Sequence, residues 1–181
     1  MGPNFNKGAR RIGRDRLPPG VVAIVEDVPL LELAIGEMHE FVVAGKRLES
    51  ARAGIIFGVV DVGERLAYNW NLQRVTDDVN FFVGDLLGLR HTLDLEHLTH
   101  IHHRHSDPAK EELHGQIPLT LEDILLIPQL VQPRNLRECC YIREMCRLVY
   151  ARRWDHGQLV AVEEIRFHKK ELVIVTLYKH Q

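Results

Sequence analysis

The chain of 181 residues carries 23 Lys and Arg against 25 Asp and Glu, a formal charge of −2, with 45% hydrophobic and 27% charged residues. That length suits one domain, or one domain with an appendage, and the balance excludes wholesale disorder and a uniformly basic nucleic-acid coat. The longest apolar run, Gly54–Val60, stops at Asp61, far short of the ~20 residues that a helical bilayer span needs.

Residues 1–16 hold Lys7, Arg10, Arg11, Arg14 and Arg16 against Asp15, a local excess of four positive charges. Such an arm either grips phosphates or is a solvated tail ending at Pro18-Pro19-Gly20. No apolar segment with a cleavage site follows it, so secretion is not expected. Three cysteines, with Cys139 and Cys140 adjacent, do not make a disulfide framework, and a reducing, cytoplasmic compartment is the expectation. Val21–Val25 reads as a short strand. Pro29 then opens a helix whose stripe is Leu30, Leu31, Leu33, Ala34, Met38, Phe41 and Val42, with a stop at Gly45. Gly54–Val60 reads as a buried strand, and residues 61–74 are ambiguous. Asp77 or Asp78 is expected to cap a helix carrying Val79, Phe82, Val83, Leu86 and Leu87 to Gly88.

The second half is clearer. Asp94 caps a helix from Leu95 to about His105 with Leu95, Leu98 and Ile101 on one stripe. Residues 106–118 read as a loop, and Thr120 starts a helix with Asp123 in the N3 position of a capping box. From Leu136 onward the signals are strand: Leu148–Trp154, Leu159–Phe167 and Glu171–Tyr178 in a meander, with Cys140–Ile142 as a fourth. The expected class is α+β, N-terminal helices followed by a four-stranded antiparallel sheet. If Lys169-Lys170 is a two-residue turn, Glu163 lies opposite Thr176; a three-residue loop brings Arg166 and Thr176 together.

Three constellations carry chemistry. Of 11 histidines, six fall between positions 91 and 105: His91, His97, His100, His102, His103 and His105. Pairs three apart on a helix share a face, which suits either a metal pair or acid–base rings at a cleft. No His-Glu-x-x-His motif accompanies them. The segment 134–153 holds six Arg against Glu138 and Glu144, and Arg binds phosphate bidentately. The last hairpin sets Glu163, Glu164 and Arg166 against Thr176 and Tyr178. Cys139 and Cys140 have no base beside them and read as inert.

The succession His100-Ile-His-His-Arg-His105, Gly115-Gln-Ile-Pro-Leu-Thr120-Leu-Glu-Asp-Ile124, Ile127-Pro128, Val162-Glu-Glu-Ile-Arg166 and Thr176-Leu-Tyr-Lys179 resembles the phage-associated Barnase–EndoU–Colicin–RelE-like (BECR) nucleases. The resemblance covers about residues 77–181. It implies a BECR-like nuclease domain there; residues 1–76 fall outside it, and their charge and apolar pattern read as a flexible basic arm over 1–20 and an α/β extension of unassigned role over 21–76. It also implies a metal-independent ribonuclease, phage- or toxin-related, with His100, His105, Arg166, Thr176 and Tyr178 at the catalytic centre. Arg147, Arg152, Arg153 and Lys179 are the expected substrate-binding residues. The expected partner is RNA, with a cognate protein inhibitor as a second; no cofactor, metal or membrane is expected. Two other classes stay open: a non-catalytic RNA- or protein-binding module of the same fold, and a metal-dependent hydrolase built on the histidine helix.

Overall fold

A computed structural model describes residues 22–24, 28–45, 54–77 and 84–181. In chain order these form β1 (Val22–Ile24), α1 (Val28–Val43), β2 (Gly54–Val59), α2 (Val62–Thr76), β3 (Arg90–Asp94), α3 (Leu95–His105), α4 (Pro108–Leu113) and β4 (Gln116–Ile117). They continue with α5 (Leu121–Leu125), α6 (Ile127–Leu130), β5 (Leu136–Ile142), β6 (Met145–Trp154), β7 (Gly157–Arg166) and β8 (Glu171–His180). The class is α+β. Among the described residues one sheet runs in the order β1-β2-β3-β8-β7-β6-β5, with β4 pairing β8 off that path.

The expected antiparallel meander is β5 to β8, but four strands is too few. β3 adds to β8 in parallel, β2 pairs β3 antiparallel, and β1 pairs β2 in parallel. The strands before residue 77 therefore extend the same sheet. β3 escaped periodicity because it is an interior strand whose buried positions include His91 and Thr92. The ambiguous stretch 61–74 is α2, capped by the Asp61 carboxylate on the Glu64 amide at 2.8 Å. Its buried residues are Tyr68 and Leu72, while Leu66 and Trp70 face outward, so its apolar positions do not trace its packed face.

Other expectations need correction. Asp77 closes α2 instead of opening a helix, and residues 84–88 are not helical. Gly84 and Gly88 hold φ of +85° and +79°, and a Cβ on Gly84 would lie 2.9 Å from the Phe167 ring. Val79, Phe82 and Val83 lie outside the described residues, as do the arm 1–20, Val21 and Val25. The loop 106–118 contains α4 and β4. Asp107-Pro108 is a helix start, with the Asp107 carboxylate on the Ala109 amide at 3.0 Å and Pro108 in the first turn. The expected capping box is present: Thr120 accepts from the Asp123 amide, and Asp123 accepts from the Thr120 amide at 2.9 Å.

The β7–β8 register is neither expected one. Four residues, 167–170, join the strands; Arg166 pairs Glu171, and a bulge after Val162 leaves Thr176 opposite Val162. Side chains alternate from this register, so the rungs fall into two sets. The inner set is Leu177–Ala161–Tyr150 and Ile174–Glu163–Leu148, all buried. Tyr68 of α2 reaches Tyr150 on this face, Asp123 of α5 reaches Lys179, and α6 packs against β6 and β7. The outer set is polar at intervals and half-exposed or exposed except for the buried Ala151, Val160, Glu164 and Val173: His180–Gln158–Arg153, Tyr178–Val160–Ala151, Thr176–Val162–Val149–Glu138 and Val173–Glu164–Arg147–Cys140.

Candidate active site

α3 delivers the first functional side chain. β3 pairs β8 only over Glu171–Val173 and β4 only over Lys179–His180, and α3 packs against β8 in the interval between them. Asp94 starts α3 by accepting from the His97 amide at 2.7 Å, and its carboxylate also meets the His97 ring. The buried stripe Leu95, Leu98 and Ile101 then continues into His105, which is 7% exposed. The His105 carbonyl accepts from the Leu119 amide at 2.7 Å, which fixes the helix end. Its ring is turned onto the outer face of the sheet. Nε2 lies 3.4 Å from Thr176 Oγ1, and the ring centroid is 6.1 Å from that of Tyr178. Nδ1 lies 3.2 Å from Oε2 of Glu111, a carboxylate of α4 that is 1% exposed. Glu111 was missed because it sits in a segment that reads as loop. The Asp-Pro helix start was the one signal that could have placed it.

The Tyr178 ring also meets His180 edge-on, with centroids 5.2 Å apart. Partial burial, with the Glu138 carboxylate on a neighbouring rung, pushes the Tyr178 phenol above its ordinary value of 10.0. It therefore stays protonated at neutral pH and offers a hydrogen-bond donor.

A second cluster lies on the same face. Glu164 binds two guanidinium groups, Arg147 across the rung at 3.3 Å and Arg166 two residues along β7 at 3.0 Å. One carboxylate shared by two Arg leaves one surplus positive charge on a half-exposed patch. Val162 is the partner of Thr176, so Glu164 is about 7 Å and Arg166 about 13 Å further along the strand from that rung. Arg153 is exposed at the opposite end of this face, beside Gln158 and His180.

The remaining expected residues are placed elsewhere. His100 is exposed on α3; partial desolvation and the charges of Arg104, His105 and His97 lower its pKa. Alternation sends Arg152 to the inner side, where its guanidinium stacks 4.7 Å from the Trp154 ring centroid. Lys179 is on the inner face, away from Tyr178. It is 4% exposed and its ammonium meets Asp123 Oδ2 at 2.6 Å, tying β8 to α5. Among the described residues, no three His, Cys, Asp or Glu side chains converge where one metal ion could be held. Burial, with Cys146, Cys140 and Glu138 nearby, pushes the Cys139 thiol up to about 12, which leaves it un-ionised.

The inner face holds a polar chain that sequence reasoning did not assemble. His91 Nδ1 meets Glu163 Oε1 at 2.8 Å, the Tyr150 hydroxyl donates to Glu163 Oε2 at 2.9 Å, and Tyr68 and Tyr150 share a 2.9 Å hydrogen bond. Desolvation pushes the His91 pKa down, but the charge and hydrogen bond of Glu163, with Glu64 behind, outweigh it and raise the net value above 6.5. A raised folded pKa adds stability below the unfolded value and loses it as pH climbs through the folded one. Denaturant unfolding is therefore expected to show stability declining from about pH 6.5 upward. His91→Gln should flatten that slope, and an unchanged slope in the variant would assign it to another group.

Comparisons with protein families, with characterised proteins and with solved structures return no match for this chain.

Proposed function

We propose that this chain is a metal-independent endoribonuclease of the BECR kind, acting on the outer face of its sheet. The observation that carries the reading is the meeting of His105 with Thr176, 71 residues away in the chain, and with Tyr178 beside it, Nε2 lying 3.4 Å from Oγ1. The resemblance names these three residues from motifs alone, and their convergence on a half-exposed face supports it. An RNA-binding surface without turnover would need the Arg residues of that face, but not a buried histidine turned toward it.

RNA brings its own nucleophile. Its 2′-OH attacks the adjacent phosphorus, the P–O5′ bond breaks, and the ends are a 2′,3′-cyclic phosphate and a 5′-OH. His105 transfers a proton in this step, a contribution of about 10²–10⁴-fold for a positioned group. The protonated Tyr178 phenol and the Thr176 hydroxyl lie where they can donate to phosphoryl oxygens. Arg147 and Arg166 hold flanking phosphates, with Glu164 fixing both guanidinium planes. Arg153 extends the same cationic face. An oligonucleotide with one 2′-deoxy residue at the cut site tests the route. The all-RNA strand should be cleaved and the substituted strand should resist at that position. Equal cleavage of both would mean that the nucleophile is not the 2′-OH.

A further inference from the structure

We infer that Glu111 is the positioning residue that makes His105 a general base: it holds the ring proton on Nδ1 and leaves Nε2 as the acceptor at the outer face. The activity part of this inference rests on the ribonuclease reading; the tautomer part does not.

The argument is one of donors and acceptors. An ionised carboxylate only accepts, so a 3.2 Å contact between Glu111 Oε2 and His105 Nδ1 requires the proton to sit on Nδ1. In a neutral imidazole the other nitrogen is then the acceptor. That nitrogen faces Thr176 Oγ1 at 3.4 Å, a contact long enough for an incoming hydroxyl to replace it. Both members of the dyad are held in place. Glu111 is fixed by α4, whose start is capped by Asp107, and its own amide donates to the Asp107 carbonyl at 3.1 Å. His105 is fixed by the end of α3. The ring thus cannot turn over without leaving a carboxylate that is 1% exposed without its partner.

The assignment settles the direction of proton flow. The 2′-OH gives its proton to His105 Nε2 as the 2′-O–P bond forms. The electron pair of the P–O5′ bond leaves with the 5′-oxygen, which takes a proton from water at the open face. The imidazolium so formed is stabilised by the Glu111 carboxylate on its far side, and it returns its proton to the hydroxide left by that water, which restores the neutral ring. His100 is exposed on α3 and no such carboxylate contact to its ring is seen among the described residues, so the base is assigned to His105 instead.

The test reads the tautomer directly. Long-range proton–nitrogen correlation on the neutral imidazole of the full chain should show His105 protonated on Nδ1. Glu111→Leu should move that proton to Nε2, and Glu111→Gln, which keeps an acceptor oxygen, should retain it on Nδ1. With RNA as substrate, kcat should fall in the order wild type, Gln, Leu, the last by about 10–100-fold with KM little changed. A wild-type ring protonated on Nε2 overturns the proposal. So does a folded Leu variant with wild-type kcat. A ring protonated on Nδ1 that switches in the Leu variant, in a protein that cuts no RNA, upholds the positioning and overturns the ribonuclease reading.

Discussion

His105→Ala is expected to lower RNA cleavage by about 10²–10⁴-fold while leaving RNA affinity nearly unchanged. In the proposed reaction the ring is the proton acceptor of the transition state, whereas the proposed phosphate contacts of Arg147, Arg153 and Arg166 are left in place. Alanine also leaves the Glu111 carboxylate buried without its partner, so part of any loss could come from unfolding. His105→Asn separates the two effects. It keeps a polar side chain beside Glu111 but provides no titrating base, so it should lose the same activity while unfolding closer to wild type. Measured together, single-turnover rates and RNA binding distinguish an enzyme from a binder. A variant that cleaves at the wild-type rate would remove His105 from the chemistry.

The second large effect is on stability. Glu163→Ala is expected to cost about 3–5 kcal/mol, the range for removing one partner of a buried charged pair. Glu163 is 0% exposed and receives both the His91 ring and the Tyr150 hydroxyl. Its loss strands a histidine that is 3% exposed and a phenol in the middle of the inner face. Set against roughly 5–15 kcal/mol for a typical domain, that is a large share. Glu163→Gln, which keeps acceptor and donor atoms, should lose less. Replacing Glu163 and His91 together by leucine should cost less than Glu163→Ala alone, because no buried charge is left unpaired. Denaturant unfolding of the three variants checks the ordering. An alanine variant within about 1 kcal/mol of wild type would mean that the buried chain contributes little.

What the sequence made legible follows from periodicity. α3 and the meander of β6, β7 and β8 announce themselves through apolar spacing and turn residues, and the meander places Thr176 and Tyr178 on one face. Alternation also separates Lys179 from Tyr178 and Arg152 from Arg153. The signal that sets Lys179 and Arg152 on the inner face was thus present in the spacing. β3 was hidden because an interior strand with a paired His91 has no apolar alternation to show. The bulge after Val162 set a register that no turn-length argument anticipates. Glu111 was hidden for a different reason: the Asp107-Pro108 start could set it on a helix but not beside His105. A carboxylate six residues from its histidine gains meaning only once α4 folds back along α3, and that geometry is tertiary.

The most direct measurement is incubation of the pure chain with tRNA and total RNA in EDTA, followed by chemical identification of the new ends. The account predicts cleavage that survives chelation, with 2′,3′-cyclic or 3′-phosphate on the upstream fragment and a 5′-hydroxyl on the downstream one. Intact RNA, or cleavage that stops in EDTA and returns with zinc, would contradict it.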